Sequence, residues 1–179
     1  MNRAYLVVGP ESSGNRHLAS VLIAAGCAGK ADTVQPWDGP GWSIVVPEPR
    51  PERLVVVRSF PHAGKWLSLA ALVRQLRQQG YEPAVLWTQR NPAIVERSQV
   101  QAGYVATLED ARRNIQRAHR KIAEGLFVDP SVRVHVIPYG VTRSRVFRRW
   151  LVETLGLPRE PPGDLWRDED AKWEEVPGE

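Results

Sequence analysis

Four short apolar runs, Tyr5–Val8, Leu54–Val57, Ala84–Thr88 and Val132–Ile137, are nearly continuous rather than alternating. A strand with one wet face alternates apolar and polar residues. A strand covered on both faces has no such need, and parallel strands are the usual case. Between the runs lie stripes of helical period. Asn15–Ala25 carries Leu18, Val21, Leu22 and Ala25 on one face, and Lys65–Gln79 carries Trp66, Leu69, Leu72, Val73 and Leu76 before stopping at Gly80. Pro92–Gln101 opens on a proline, tolerated in a first turn where no N–H is needed. Leu108–Leu126 is long and polar around Ile115, Ala118, Ile122 and Leu126, and Thr142–Leu155 ends at Gly156, a natural helix stop. The alternation of strands and helices predicts an α/β fold in three layers, a mainly parallel central sheet flanked by helices.

Trp42–Val46 reads as a fifth, shorter strand. Residues 27–51, rich in Gly and Pro, read as an irregular excursion over the sheet. One domain is expected over 1–158, followed by a Pro-rich, acidic tail over 159–179 with the composition of an extended or disordered segment.

At the end of the first strand stands Gly9-Pro-Glu-Ser-Ser-Gly14, with Asn15 and Arg16 after it. The spacing is that of a phosphate-binding P-loop, in which backbone N–H groups at a helix N-terminus face an anion. A nucleoside triphosphatase would carry Lys and then Ser or Thr where Asn15 and Arg16 stand. Without the lysine the outer phosphates lose their cation, and without the hydroxyl magnesium loses a ligand. The loop therefore points to an anion and away from magnesium–ATP chemistry. Charge agrees: the chain has 24 Lys and Arg side chains, four of them Lys, and a net charge of +4. Arginine's planar fork suits phosphate and sulfate.

A second motif, Arg90-Asn-Pro-Ala-Ile-Val-Glu-Arg-Ser98, follows the third strand. It offers an arginine at the carboxyl edge of the sheet and a hydroxyl two helical turns on, so that both could flank one phosphate. The single cysteine, Cys27, excludes an internal disulfide and a cysteine-based zinc site. No metal is expected. No apolar stretch is long enough for a membrane span and the N-terminus lacks a signal-peptide pattern, so a cytoplasmic protein is expected. No basic stretch is interleaved with aromatics, and a nucleic-acid partner is not expected.

Three segments in order, GPESSGNRHLASVL, RNPAIVERSQ and VIPYGVTRSRVFRRWLVETLGLP, together resemble the sulfotransferase family over about residues 5–158. Within that family the chain resembles the small phage and bacterial sulfotransferase-like proteins. The resemblance implies the sulfuryl donor 3′-phosphoadenosine 5′-phosphosulfate (PAPS), no metal, and a small-molecule or glycan acceptor with a hydroxyl. It implies that Ser12, Ser13, Gly14 and Asn15 cradle the 5′-phosphate with Arg16, that Arg90 and Ser98 grip the 3′-phosphate, and that Tyr139 lies near the adenine, which Trp37 or Trp42 could also stack on. Cytosolic members carry a lysine where Ser12 stands, so the charge at the leaving oxygen falls to Arg16 or another cation. In place of their Lys-Thr-His-Leu-Pro motif stands Arg58-Ser-Phe-Pro-His62, which makes His62 the expected base, with Arg58 on the sulfuryl oxygens. His17 and Glu11 are runners-up. The Arg143, Arg145, Arg148 and Arg149 face is a possible replacement for a late 3′-phosphate segment that has no match. Two other readings stay open: a P-loop nucleotide or nucleoside kinase-like enzyme, and a non-catalytic nucleotide-binding module on the same fold.

Overall fold

The structure, a computed structural model, describes residues 2–32 and 34–165. Among the described residues, four strands form one parallel sheet: β1 (Asn2–Pro10), β2 (Arg53–Phe60), β3 (Tyr81–Gln89) and β4 (Arg133–Pro138), in the order β2-β1-β3-β4. Five α-helices among the same residues connect and follow them: α1 (Asn15–Ala24), α2 (Leu69–Gln78), α3 (Pro92–Gln101), α4 (Leu108–Val128) and α5 (Arg145–Leu155).

In β1, β2 and β3 the continuous apolar runs have the reason expected of them, whereas the edge strand β4 leaves Val134 and Val136 exposed. In β1, Ala4, Leu6 and Val8 face one core, shared with Leu69, Leu72 and Leu76 of α2 and Ile122 of α4. Tyr5 and Val7 face the other, shared with Leu18 and Leu22 of α1 and Leu151 and Leu155 of α5. Burying both faces leaves no position for a polar residue until the strand reaches its carboxyl end. Side-chain caps fix three helix starts: Ser68 accepts from the Ala71 N–H, Asn91 from the Ala93 N–H, and Thr107 from the Asp110 N–H. Each such cap contributes about 1 kcal/mol.

Three sequence expectations change. Trp42–Val46 is not a strand; Ile44 forms a single bridge to Asp38, and its N–H and C=O are taken by the Gln75 and Gln79 side chains. Helix α2 starts at Leu69, because Lys65 and His62 pair backbone to backbone in a tight turn before it. Helix α5 starts at Arg145. Of the tail, Arg159 donates to the Ala24 carbonyl and Pro161 is buried, while residues 166–179 lie outside the described residues.

The topology also dictates where a ligand would sit. The chain leaves β1 toward β2 on one side and leaves β3 toward β4 on the other. The loops after β1 and β3 therefore part, opening a crevice at the carboxyl edge where the strand order reverses. Ligands of open α/β sheets bind at such a switch point.

Candidate functional site

The loop from Gly9 to Gly14 lines that crevice. Its shape needs glycine at two places. A Cβ on Gly9 would lie 2.3 Å from Thr88 Oγ1 and 2.4 Å from Ser13 Oγ. Gly14 sits at φ +96°, and a Cβ there would press into the Tyr139 ring at 2.4 Å. Ser12 also takes a left-handed backbone, at φ 67°.

Two side chains of the loop face inward. Ser13 Oγ donates to the Pro10 carbonyl at 2.7 Å and lies 2.7 Å from Thr88 Oγ1. Asn15, at the position of the missing lysine, is buried. Its Oδ1 accepts from Thr88 Oγ1 at 2.5 Å, and its Nδ2 faces the carbonyls of Gly9 and Pro10 at 3.3 Å each and Ser59 Oγ at 3.2 Å. One amide thus ties together the carboxyl ends of β1, β2 and β3. With both side chains bonded inward, what Ser13 and Asn15 have left to offer an anion is backbone. The first intrahelical bond of α1 runs from the Leu18 N–H to the Gly14 carbonyl, and no side chain caps the helix. The N–H groups of the turn before it have no acceptor within the helix.

Arg90, one residue past β3, crosses to this loop. Its Nη1 donates to the Ser12 carbonyl at 3.0 Å, and its Cζ stands 4.5 Å from the centre of the Tyr139 ring. Tyr139 is buried against Gly14, with His17 edge-on at 5.4 Å. Beside them opens a cleft of about 260 Å³ walled by Arg90, Asn91, Pro138 and Tyr139. Ser12, Gly14, Arg90 and Tyr139, called from three separate segments, are therefore neighbours. Ser98 lies half-buried on α3, the helix whose Gln99 Nε2 donates to the Glu11 carbonyl at 3.0 Å and so docks on the loop.

Arg16, Arg58 and His62 sit otherwise. Arg16 is exposed and faces Asp32 at 3.7 Å. Arg58 has no exposed surface. It donates to Asp38 Oδ1 at 2.5 Å and to the carbonyls of Val57 and Trp42 at 2.8 and 3.2 Å, pinning the excursion to the edge strand. His62 is fully buried, edge-on to Trp42 at 4.5 Å, and its Nδ1 accepts the Ser59 N–H at 3.2 Å. A neutral imidazole whose Nδ1 accepts carries its proton on Nε2 and has no lone pair left for an acceptor hydroxyl. The expected roles of Arg58 and His62 do not fit this geometry. Trp37 belongs to the core, and Trp42 packs on His62 rather than beside Arg90. On α5, Arg145 and Arg148 face Glu160 at 3.9 and 3.8 Å.

Glu11 is the acidic group of the site. Burial pushes its carboxyl up to about 7. Gln99, which sequence reading passed over, connects it onward: Gln99 Oε1 accepts from Asn114 Nδ2 of α4 at 3.2 Å. Nothing in the sequence around Gln99 marks it, since its burial shows only in the structure.

No family model matches the sequence, and no curated protein matches it. Among solved structures, a sulfotransferase from Alicyclobacillus acidocaldarius superposes with a TM-score of 0.51 at 16% identity, over 97% of this chain and 90% of that one. The fold is that of a sulfotransferase. At this identity the likeness extends to the fold alone. Among the described residues no helix is long and apolar enough to cross a membrane.

Proposed function

We propose that the chain is a sulfotransferase moving a sulfuryl group from PAPS to a hydroxyl. The observation that carries this reading is Arg90, which bridges the Ser12 carbonyl and the Tyr139 ring at the switch-point crevice. It places a fixed cation beside an uncapped helix N-terminus, where a 3′-phosphate and a 5′-phosphate of one nucleotide would need them. The missing lysine supports it too, since the lysine position is filled by an amide committed to four other groups and cannot serve a triphosphate.

When bound, the donor supplies a sulfuryl group: its bond to the bridging phosphate oxygen breaks, the acceptor oxygen bonds to sulfur, and adenosine 3′,5′-bisphosphate leaves. The chain's part is to hold and to take a proton. The loop N–H groups ahead of Leu18 and the Arg90 guanidinium would hold the two phosphate ends, with Ser98 at the 3′ side and Tyr139 against the nucleoside. Glu11 would take the proton of the acceptor hydroxyl, because a carboxyl at about 7 suits a base at neutral pH and stands in the loop itself. Arg58 and His62 would support the site from beneath.

Their burial also favours a second reading, a module that binds the nucleotide without transferring anything. Two measurements separate these. Adenosine 3′,5′-bisphosphate should raise the melting temperature without magnesium. A stabilisation by ATP that needs magnesium, with none by the bisphosphate, sinks both readings. Labelled sulfate transferred from PAPS to a hydroxyl library, and lost in Glu11→Gln, distinguishes enzyme from module.

A further inference from the structure

Away from Arg90, a cavity of about 650 Å³ opens between α4, Trp66 and the turn at Val105 and Ala106. Its size falls within the range of small-ligand sites. One wall is a stripe of arginines, Arg113, Arg117 and Arg120, spaced four and three residues apart on α4 and so about 10 Å from end to end. Asp110 is the acid among the lining residues; it pairs with Arg113 at 2.6 Å, and Glu109 also binds Arg113. Arg117 and Arg120 carry the remaining positive charge. Arg117 stands 4.3 Å over the Trp66 ring. That contact makes one corner both cationic and flat.

The cavity is joined to the loop. Asn114, which lines it, donates to Gln99, and Gln99 donates to the Glu11 carbonyl. Two hydrogen bonds therefore run from the arginine-walled cavity to the main chain of Glu11, the residue assigned the proton.

We infer that this cavity binds the acceptor, and that the acceptor is an acid: a ring-bearing molecule with a carboxylate or sulfate held by Arg117 and Arg120 while its hydroxyl reaches toward Glu11. The inference rests on the sulfotransferase reading. A neutral acceptor would bring the two guanidinium groups no anion beyond the Glu124 carboxylate that Arg120 already feels, whereas an acidic one meets both with charge-assisted hydrogen bonds. The aromatic wall at Trp66 suits the face of an aryl or sugar ring.

The test is calorimetric binding to the full-length protein, without donor, of two matched pairs: p-hydroxybenzoate against phenol, and a uronic-acid hexasaccharide against a neutral glucose hexasaccharide. In at least one pair the acid should bind about tenfold or more tightly, and added salt should weaken it. Preference confined to the benzoate identifies a small acceptor, and preference confined to the hexasaccharide a polymeric one. The Arg117→Ala/Arg120→Ala double variant, altered only at exposed side chains, should lose the preference. It should keep the wild-type thermal shift with adenosine 3′,5′-bisphosphate, which also certifies its folding. Equal binding of acid and neutral partners, or an undiminished preference in the double variant, overturns the inference. So does oligouridylate binding as tightly and through the same arginines, which would mark a general polyanion surface. If the acids bind as expected but the bisphosphate gives no shift even in wild type, the cavity stands and the donor reading falls.

Discussion

Asn15 Oδ1 accepts a 2.5 Å hydrogen bond from Thr88 Oγ1, fastening the start of α1 to the end of β3. The same amide reaches Ser59 of β2 and two carbonyls of β1. A position that carries the working cation in a triphosphatase is here a structural clasp. Asn15→Lys is therefore expected to fail as a restoration of ATP binding. It would bury an ammonium among groups already satisfied, and should lower stability by about 2–4 kcal/mol. Urea unfolding of the variant measures the loss. Magnesium–ATP should give it no thermal shift, and a shift would show that the loop can still open to a lysine.

Arg90 has the opposite character, since it is half-buried across the loop, where it donates to the Ser12 carbonyl and stands over the Tyr139 ring. Its bond to the Ser12 carbonyl contributes little stability, about 1 kcal/mol. Arg90→Ala should thus melt close to wild type while losing about 2 kcal/mol of affinity for adenosine 3′,5′-bisphosphate, the size of a charge-assisted pair. Affinity for adenosine 5′-monophosphate should change far less. Equal losses for the two nucleotides would place Arg90 at the 5′ end instead.

The sheet and its helices were legible because each rests on a repeated local signal: apolar runs, helical stripes, and glycine or proline at the ends. Arg90 and Tyr139 were legible as neighbours of the loop because residues at strand ends share one sheet edge by construction. Arg58 and His62 stand at that edge too, yet they are buried. Nothing local distinguishes an arginine facing a ligand from one facing Asp38, twenty residues earlier in an irregular excursion. The Asn15 clasp was hidden for the same reason, because its partners come from three separate strands.

Glu11 sets an expectation for pH. Its folded-state value of about 7 lies above the ordinary carboxylate value of 4.5, with burial as the cause. The folded protein therefore holds a proton that the unfolded chain releases. The associated stability is complete below about pH 4.5 and is lost as pH rises through about 7. After allowance for partial exposure the change is on the order of 1–2 kcal/mol. Glu11→Gln should remove this decline and be the more stable protein at pH 8. Binding of the bisphosphate should also weaken as the carboxylate forms beside it. Unfolding curves at pH 5 and pH 8 for both proteins decide it; parallel changes in the two would assign the decline to other groups.

The buried Arg58–Asp38 pair separates a supporting role from a catalytic one. Asp38→Ala leaves a guanidinium with no exposed surface and without its carboxylate, which typically costs about 3–5 kcal/mol. Removing both charges is gentler, because an apolar side chain in the same space needs no partner. Asp38→Ala/Arg58→Met should therefore recover much of the loss seen in Asp38→Ala alone. A supporting Arg58 further requires that the double variant keep the thermal shift with adenosine 3′,5′-bisphosphate and, where transfer is measurable, retain most of it. A double variant that recovers its stability but transfers nothing would return Arg58 to the sulfuryl group, as the sequence first suggested.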